Sequence, residues 1–454
     1  MGSLLLKNID FLVTMDEKRR ELKGYSLLIE DGIITRLEKE IQAQPDWKII
    51  DAENKWVFPG LINTHHHFYQ TLTRCLGEVQ GAELFPWLKT LYPIWARLTP
   101  DGVTASTRIA LAELLKSGCT AASDHHYVFP RGQDPELIDY QIETAREMGV
   151  RFHPCRGSMS RGEDEGGLPP REVVQKESEI LDDSLRLIEK YHDPSPYSMC
   201  QIVLAPCSPF SVTPELLRET VVLARQYGIR CHTHLAETRD EDDYCEKELG
   251  MRPLEFMEKV GWLGQDIWYA HGIHFLDDEL DVLARTKTGV AHCPVSNQKL
   301  SSGVARIPEM LKKGIPVGLA VDGSASNDGS NMLVEMKSAL LLHKLYWGID
   351  SISSRDVLEI ATRGGAELLG RPDLGSIATG QAGDLFMVDK RSVGYAGAET
   401  DPVTALLTCG DSFQADLTVV GGKVLVQEGR LKEFAEEDLN REAAQKSRAM
   451  LEKG

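Results

Sequence analysis

One unit recurs through the middle of this 454-residue chain: a helix-period stretch, a glycine, then a short apolar run that ends in polar residues. It appears at Gly118, Gly149, Gly228, Gly289 and Gly314, and residues 57–67, 199–206 and 267–271 supply three more strands of the same kind. Eight strands alternating with helices predict an α/β fold, a (β/α)8 TIM barrel. Both ends of the chain read differently. Residues 4–10, 25–30 and 33–37 are short alternating strands with a turn at Asp31-Gly32, and strands return at 385–388, 417–420 and 423–427 with a turn at Gly421-Gly422. The expected organisation is a barrel over 58–369, a small discontinuous β-sandwich formed by both ends of the chain (1–57 and 370–430), and a charged, solvated C-terminal helix over 431–454.

Composition narrows the partners. With 50 basic against 69 acidic residues the formal charge is −19, spread along the chain, so a polyanion is repelled. Neither nucleic acid nor a membrane is an expected partner. Nine cysteines without a CxxC pair fit reduced thiols in a cytoplasmic protein. The start of the chain lacks the basic and apolar segments of a signal peptide, and no apolar run reaches the length of a membrane span.

Eleven of the 13 histidines fall at or just beyond the predicted strand ends: His65, His66, His67, His125, His126, His153, His232, His234, His271, His274 and His292. The C-terminal strand ends of a barrel form its active-site face, so this clustering marks a site. His65 and His67, at i and i+2, point to one side of the first strand and can grip one cation, while His66 faces away. With His234 after the fifth strand and Asp322 after the eighth they form a three-nitrogen, one-carboxylate set suited to zinc or ferrous iron. Glu237 is the natural proton shuttle, or else a glutamate at a helix N-terminus. His271 is placed to polarise a water or a tetrahedral intermediate, with neutral packing as its other reading. A cation held by this set brings a water's pKa toward 7, which is hydrolytic equipment.

The runs Pro59-Gly60-Leu61-Ile62-Asn63-Thr64-His65-His66-His67, His234-Leu235-Ala236-Glu237-Thr238, Ala270-His271-Gly272, His292-Cys293-Pro294-Val295-Ser296-Asn297 and Val321-Asp322-Gly323 resemble the amidohydrolase superfamily, and within it the deaminases of purines, pyrimidines and triazines. Relatives with two metals carry a carboxylated lysine at the end of the fourth strand. Residues 201–207 contain no lysine, so the resemblance implies one divalent metal, zinc ahead of iron. The HxE and PCxxC pattern of the other zinc deaminases is absent. His67 to Arg74, Ser123-Asp124-His125-His126-Tyr127, Arg156 to Ser160 and Gly166 to Pro170 are similar to 8-oxoguanine deaminases, a group close to isoxanthopterin and isocytosine deaminases.

The resemblance implies a cytoplasmic homo-oligomer acting on a small heterocycle, in first place 8-oxoguanine, giving urate and ammonia. Isoxanthopterin deamination and s-triazine amino- or chlorohydrolysis are the alternatives, and a catalytically dead scaffold barrel the remote one. Gln70, three residues past a ligand, can pair with a lactam edge or merely brace a loop. Trp87 and Trp95 can wall a flat ring or pack a helix. Cys207 is placed to line the pocket without acting as a nucleophile.

Overall fold

The computed structural model describes residues 2–410 and 413–452; Met1, at the start of the expected sandwich, and Lys453 and Gly454, at the end of the expected C-terminal helix, lie outside the described residues. Eight parallel strands form the barrel wall: β1 (Leu61–Asn63), β2 (Cys119–His126), β3 (Arg151–Ser158), β4 (Val203–Pro206), β5 (Arg230–Leu235), β6 (Ile267–His271), β7 (Gly289–His292) and β8 (Val317–Leu319). Each pairs with the next in chain order. β2, β3 and β6 are buried at every position, as strands covered on both faces must be. The helix Leu137–Met148 ends at Gly149 (φ 75°) and the helix Pro214–Tyr227 at Gly228 (φ 68°), so at these points the recurring glycine is a left-handed helix terminator that turns the chain into the next strand.

The ring closes at the site end. The Thr64 amide donates to Leu319 O (3.1 Å), the Asp322 amide donates to His65 O (3.2 Å), and His66-His67 pairs with Asp322-Gly323 as a two-residue parallel ladder.

Residues 57–67 are not one barrel strand as expected. Lys55–Pro59 belongs to a second sheet, antiparallel to Leu385–Asp389, and the chain passes into β1 through Gly60, where a Cβ would lie 2.1 Å from the Thr120 hydroxyl oxygen. That seven-stranded sheet and a four-stranded one, drawn from the N-terminal residues up to Asp51, enclose a separate apolar core of Leu6, Ile9, Leu12, Val57, Leu385 and Val419.

The C-terminal helix also departs from expectation. Glu436–Leu451 is not merely solvated: Leu439 and Met450 are buried and it packs on the helix Pro100–Lys116, with Arg108–Glu442 and Lys446–Asp101 ion pairs along the contact. Among the described residues no helix is long and apolar enough to cross a membrane, and all nine cysteines are free thiols.

Candidate metal and active site

Three imidazoles and one carboxylate meet at the C-terminal mouth of the barrel. His65 Nε2 and His67 Nε2 lie 3.2 and 3.4 Å from Asp322 Oδ1, and His67 Nε2 lies 3.1 Å from His234 Nε2. A four-coordinate zinc with arms of about 2.1 Å separates its donors by about 3.4 Å, so these gaps are the edges of a zinc-sized polyhedron.

Hydrogen bonds fix which nitrogens face inward. His67 Nδ1 lies 2.7 Å from His125 O and His234 Nδ1 lies 2.6 Å from Cys207 O; a carbonyl only accepts, so both Nδ1 atoms carry the proton and both Nε2 atoms present lone pairs. His65 reaches the same state through a relay. His232 Nδ1 donates to Trp268 O (3.0 Å), which leaves His232 Nε2 to accept from His65 Nδ1 at 2.7 Å. His65 Nε2 is then a buried lone pair without a hydrogen-bond partner. Burial is the main cause that holds His65 and His234 well below the ordinary histidine value and lowers His67, so all three are neutral imidazoles able to ligate a cation. Converging buried lone pairs beside a carboxylate are costly by themselves and fit a divalent cation. Burial works to raise Asp322, but the surrounding His65, His271 and His67 outweigh it and hold the carboxyl well below its usual range.

Glu237 and His271 sit beside this point. Glu237 Oε2 is 3.5 Å from His271 Nε2, which in turn is 4.0 Å from Asp322 Oδ2. Burial pushes Glu237 up to about 7, with His271 opposing and Asp322 reinforcing the rise, a value at which a carboxyl can both give and take a proton. Ala236, His271 and Asp322 have φ values of 53°, 73° and 63°. Non-glycine residues held in the left-handed region are characteristic of functional sites.

Several supporting residues had no assigned role in the sequence. Asn297 Oδ1 is 2.9 Å from His271 Nδ1, and Ser296 and Ser326 donate to Asp322 Oδ2 at 2.5 and 3.2 Å. Glu241 accepts from the Ala236 and Glu237 amides, both at 3.1 Å, and so holds the turn that aims Glu237. His125, whose Nε2 donates to Ala205 O, groups with His65, His67 and His234. His153 is a correction. β3 runs on to Ser158, so His153 lies near its start, at the opposite end of the barrel, 3.4 Å from Arg371. His292 faces His343 (3.0 Å) and His66 contacts Ser330, both away from the site.

A small cavity opens between these groups and the helix α1 (Leu84–Trp95). Gln70 lines it, its Oε1 accepting from the Ala325 amide (3.3 Å) and its head packed where a Cβ on Gly323 would fall. Cys207 lines it as well; burial pushes its thiol up to about 12, so it stays protonated. Trp87 forms part of the wall, whereas Trp95 packs edge-on against Tyr69 and Trp87 and donates to the Thr73 hydroxyl. A wider groove bearing Arg19, Arg230 and Arg363 lies at the other end of the barrel and contains none of these histidines.

Known proteins share this arrangement of fold and sequence. Residues 56–425 match the amidohydrolase family. The chain is 49% identical over 408 residues to an 8-oxoguanine deaminase of Pseudomonas aeruginosa, covering 89% of this chain and 90% of that one, and 37% identical over 462 residues to a hydroxydechloroatrazine ethylaminohydrolase of a Pseudomonas species, covering 98% and 95%. The crystal structure of an atrazine chlorohydrolase from Arthrobacter aurescens complexed with zinc superposes with a TM-score of 0.94 at 32% identity, covering 98% of this chain and all of that one. The chain belongs to the amidohydrolase family and is a hydrolase of carbon–nitrogen bonds.

Proposed function

We propose that the protein is a metal-dependent deaminase of 2-amino-4-oxo heterocycles, with 8-oxoguanine, converted to urate and ammonia, as its first substrate and isocytosine as a smaller one. The observation that carries this reading is the convergence of three inward Nε2 lone pairs and Asp322 Oδ1 beside a protonatable Glu237. The 49% identical 8-oxoguanine deaminase supports the choice of ring.

A single divalent cation held by His65, His67, His234 and Asp322 would lower the pKa of a water toward 7. Glu237 gives its proton to the ring nitrogen beside the amine-bearing carbon, which makes that carbon electrophilic. Asp322 takes the proton released as water adds to the carbon, assisted by His271, whose Nδ1 is held 2.9 Å from Asn297 Oδ1. That proton passes to the amine, the carbon–nitrogen bond breaks and ammonia departs, while the remaining hydroxyl proton goes to Glu237, which restores the acid and leaves the water oxygen as a carbonyl. Gln70 contacts the substrate edge nearest the cation.

A second reading, hydrolysis of a substituted s-triazine, draws on the 37% identical ethylaminohydrolase and the zinc-bound chlorohydrolase structure. One experiment separates them: kcat/KM for 8-oxoguanine, guanine, isocytosine, isoxanthopterin and a hydroxy-triazine, on protein of measured metal content. Ammonia release fastest from 8-oxoguanine is expected; turnover confined to the triazine would replace the first reading with the second.

A further inference from the structure

The cavity has two chemically different walls. The strand-end wall carries His67, His234, Glu237, His271 and Asp322, the groups assigned above to the cation and to proton transfer. The facing wall is one side of α1, where Leu84, Trp87, Leu88 and Tyr92 follow helical spacing and are buried. Two of these four bring polar hydrogens with them. The Trp87 indole nitrogen and the Tyr92 hydroxyl are both buried, and neither has a hydrogen-bond partner in the protein.

A buried donor left unpaired is expensive, and tryptophan and tyrosine normally find a partner when buried. A leucine or phenylalanine at either position would close the cavity without that cost. The indole N–H can only donate, and the phenol is a ready donor whose ionisation burial disfavours, holding its pKa well above the ordinary value. The group that satisfies both is an acceptor, and one carbonyl oxygen with two lone pairs can answer two donors.

Building on the function proposed above, we infer that Trp87 and Tyr92 form a second recognition site, for a carbonyl oxygen carried by the substrate at the end remote from its amine. The reacting carbon lies against Glu237 and His271 while the far ring reaches α1. A bicyclic ring with an exocyclic oxygen on its second ring meets both demands at once. The same purine without that oxygen leaves the donors unpaired, and a single-ring substrate brings no second ring to present to them. Sites built to hydrogen-bond a substrate group discriminate strongly against the analogue that lacks it, because the loss strands buried donors.

The test uses Trp87→Phe and Tyr92→Phe, which keep an aromatic ring and remove the donor, assayed on 8-oxoguanine and on isocytosine. Each variant is expected to lose about tenfold in kcat/KM on 8-oxoguanine and to stay within about threefold of the parent on isocytosine. The Tm of the free protein is expected to hold or rise, since removing an unpaired buried donor relieves a cost; a hydroxyl with a structural role would give a fall. Equal losses on both rings, no loss on either, or a lowered Tm overturns the assignment while leaving the deaminase reading intact. A parent enzyme that releases no ammonia from either ring overturns both.

Discussion

The two ends of the barrel both bury charged groups and resolve them in opposite ways. At the N-terminal end, Arg151 meets Asp384 through a bidentate pair (2.7 and 3.0 Å) and Arg371 meets Asp373 likewise (3.0 and 2.7 Å), with Asp384 accepting in addition from the Gly421 amide. Each of these carboxylates has a permanent cation supplied by the chain itself. At the C-terminal end, Asp322 and Glu237 face histidines, and no lysine or arginine pairs with either among the described residues. The first arrangement ties the returning C-terminal strands to the barrel floor. The second leaves its positive charge to be supplied from outside, which is what separates a structural cluster from a site.

That contrast can be broken at either end. The largest effect is expected from Asp322→Asn, which removes the only anionic member of the ligand set: bound metal and ammonia release should both fall below detection, by elemental analysis and a coupled assay. Glu237→Gln should lower kcat by at least about a thousandfold with metal content unchanged, the signature of a lost proton shuttle; retained turnover would remove Glu237 from its role. Asp384→Ala should cost about 3–5 kcal/mol in denaturant unfolding, because it strands a buried guanidinium, while metal stoichiometry stays at the parent value. Metal loss in that variant would mean that the two ends are not independent. Thr213→Ala, which removes the hydroxyl that accepts from the Leu216 amide at the start of the helix Pro214–Tyr227, alters neither the floor ion pairs nor any of the six site residues and should cost about 1 kcal/mol with kcat unaltered.

The site end was the more legible of the two in the sequence. His65, His67, His234, Glu237, His271 and Asp322 each follow an apolar strand, and periodicity alone places strand ends on one face. What periodicity could not carry were the residues that act on these six. His232 matters because its Nδ1 finds the Trp268 carbonyl one strand away, and Asn297 because a short helix after β7 brings its amide to His271. Such contacts join segments tens of residues apart and leave no local pattern.

The misplacement of His153 has a similar origin. Pro154 and Arg156 read as the end of a strand, yet β3 continues through both, and Arg156 is buried because Asp183 and Gln175 on other elements receive its guanidinium. At the floor of the barrel, Asp384 sits in a polar stretch that reads as loop, 233 positions from its partner Arg151, whereas Asp373 and Arg371 are only two residues apart in a loop of their own. Residues 57–67 misled for a different reason: one apolar run serves two sheets, and only the tight packing of Thr120 against Gly60 marks the boundary.

The barrel is joined last where β1 meets β8, between Thr64 and Leu319, 255 positions apart in the chain. His65 and His67 lie on one side of that join and Asp322 on the other, so a cation gripping all three is also a clasp on the hoop. In chain-entropy terms it pins together the ends of a very long loop, and the benefit of such a pin grows only logarithmically with the span it closes. Its leverage comes instead from where it sits, at the one gap where the wall lacks a continuous ladder. Stripping the metal should therefore loosen the hoop first at Thr64 and Asp322, where amide exchange would quicken before any other part of the wall responds.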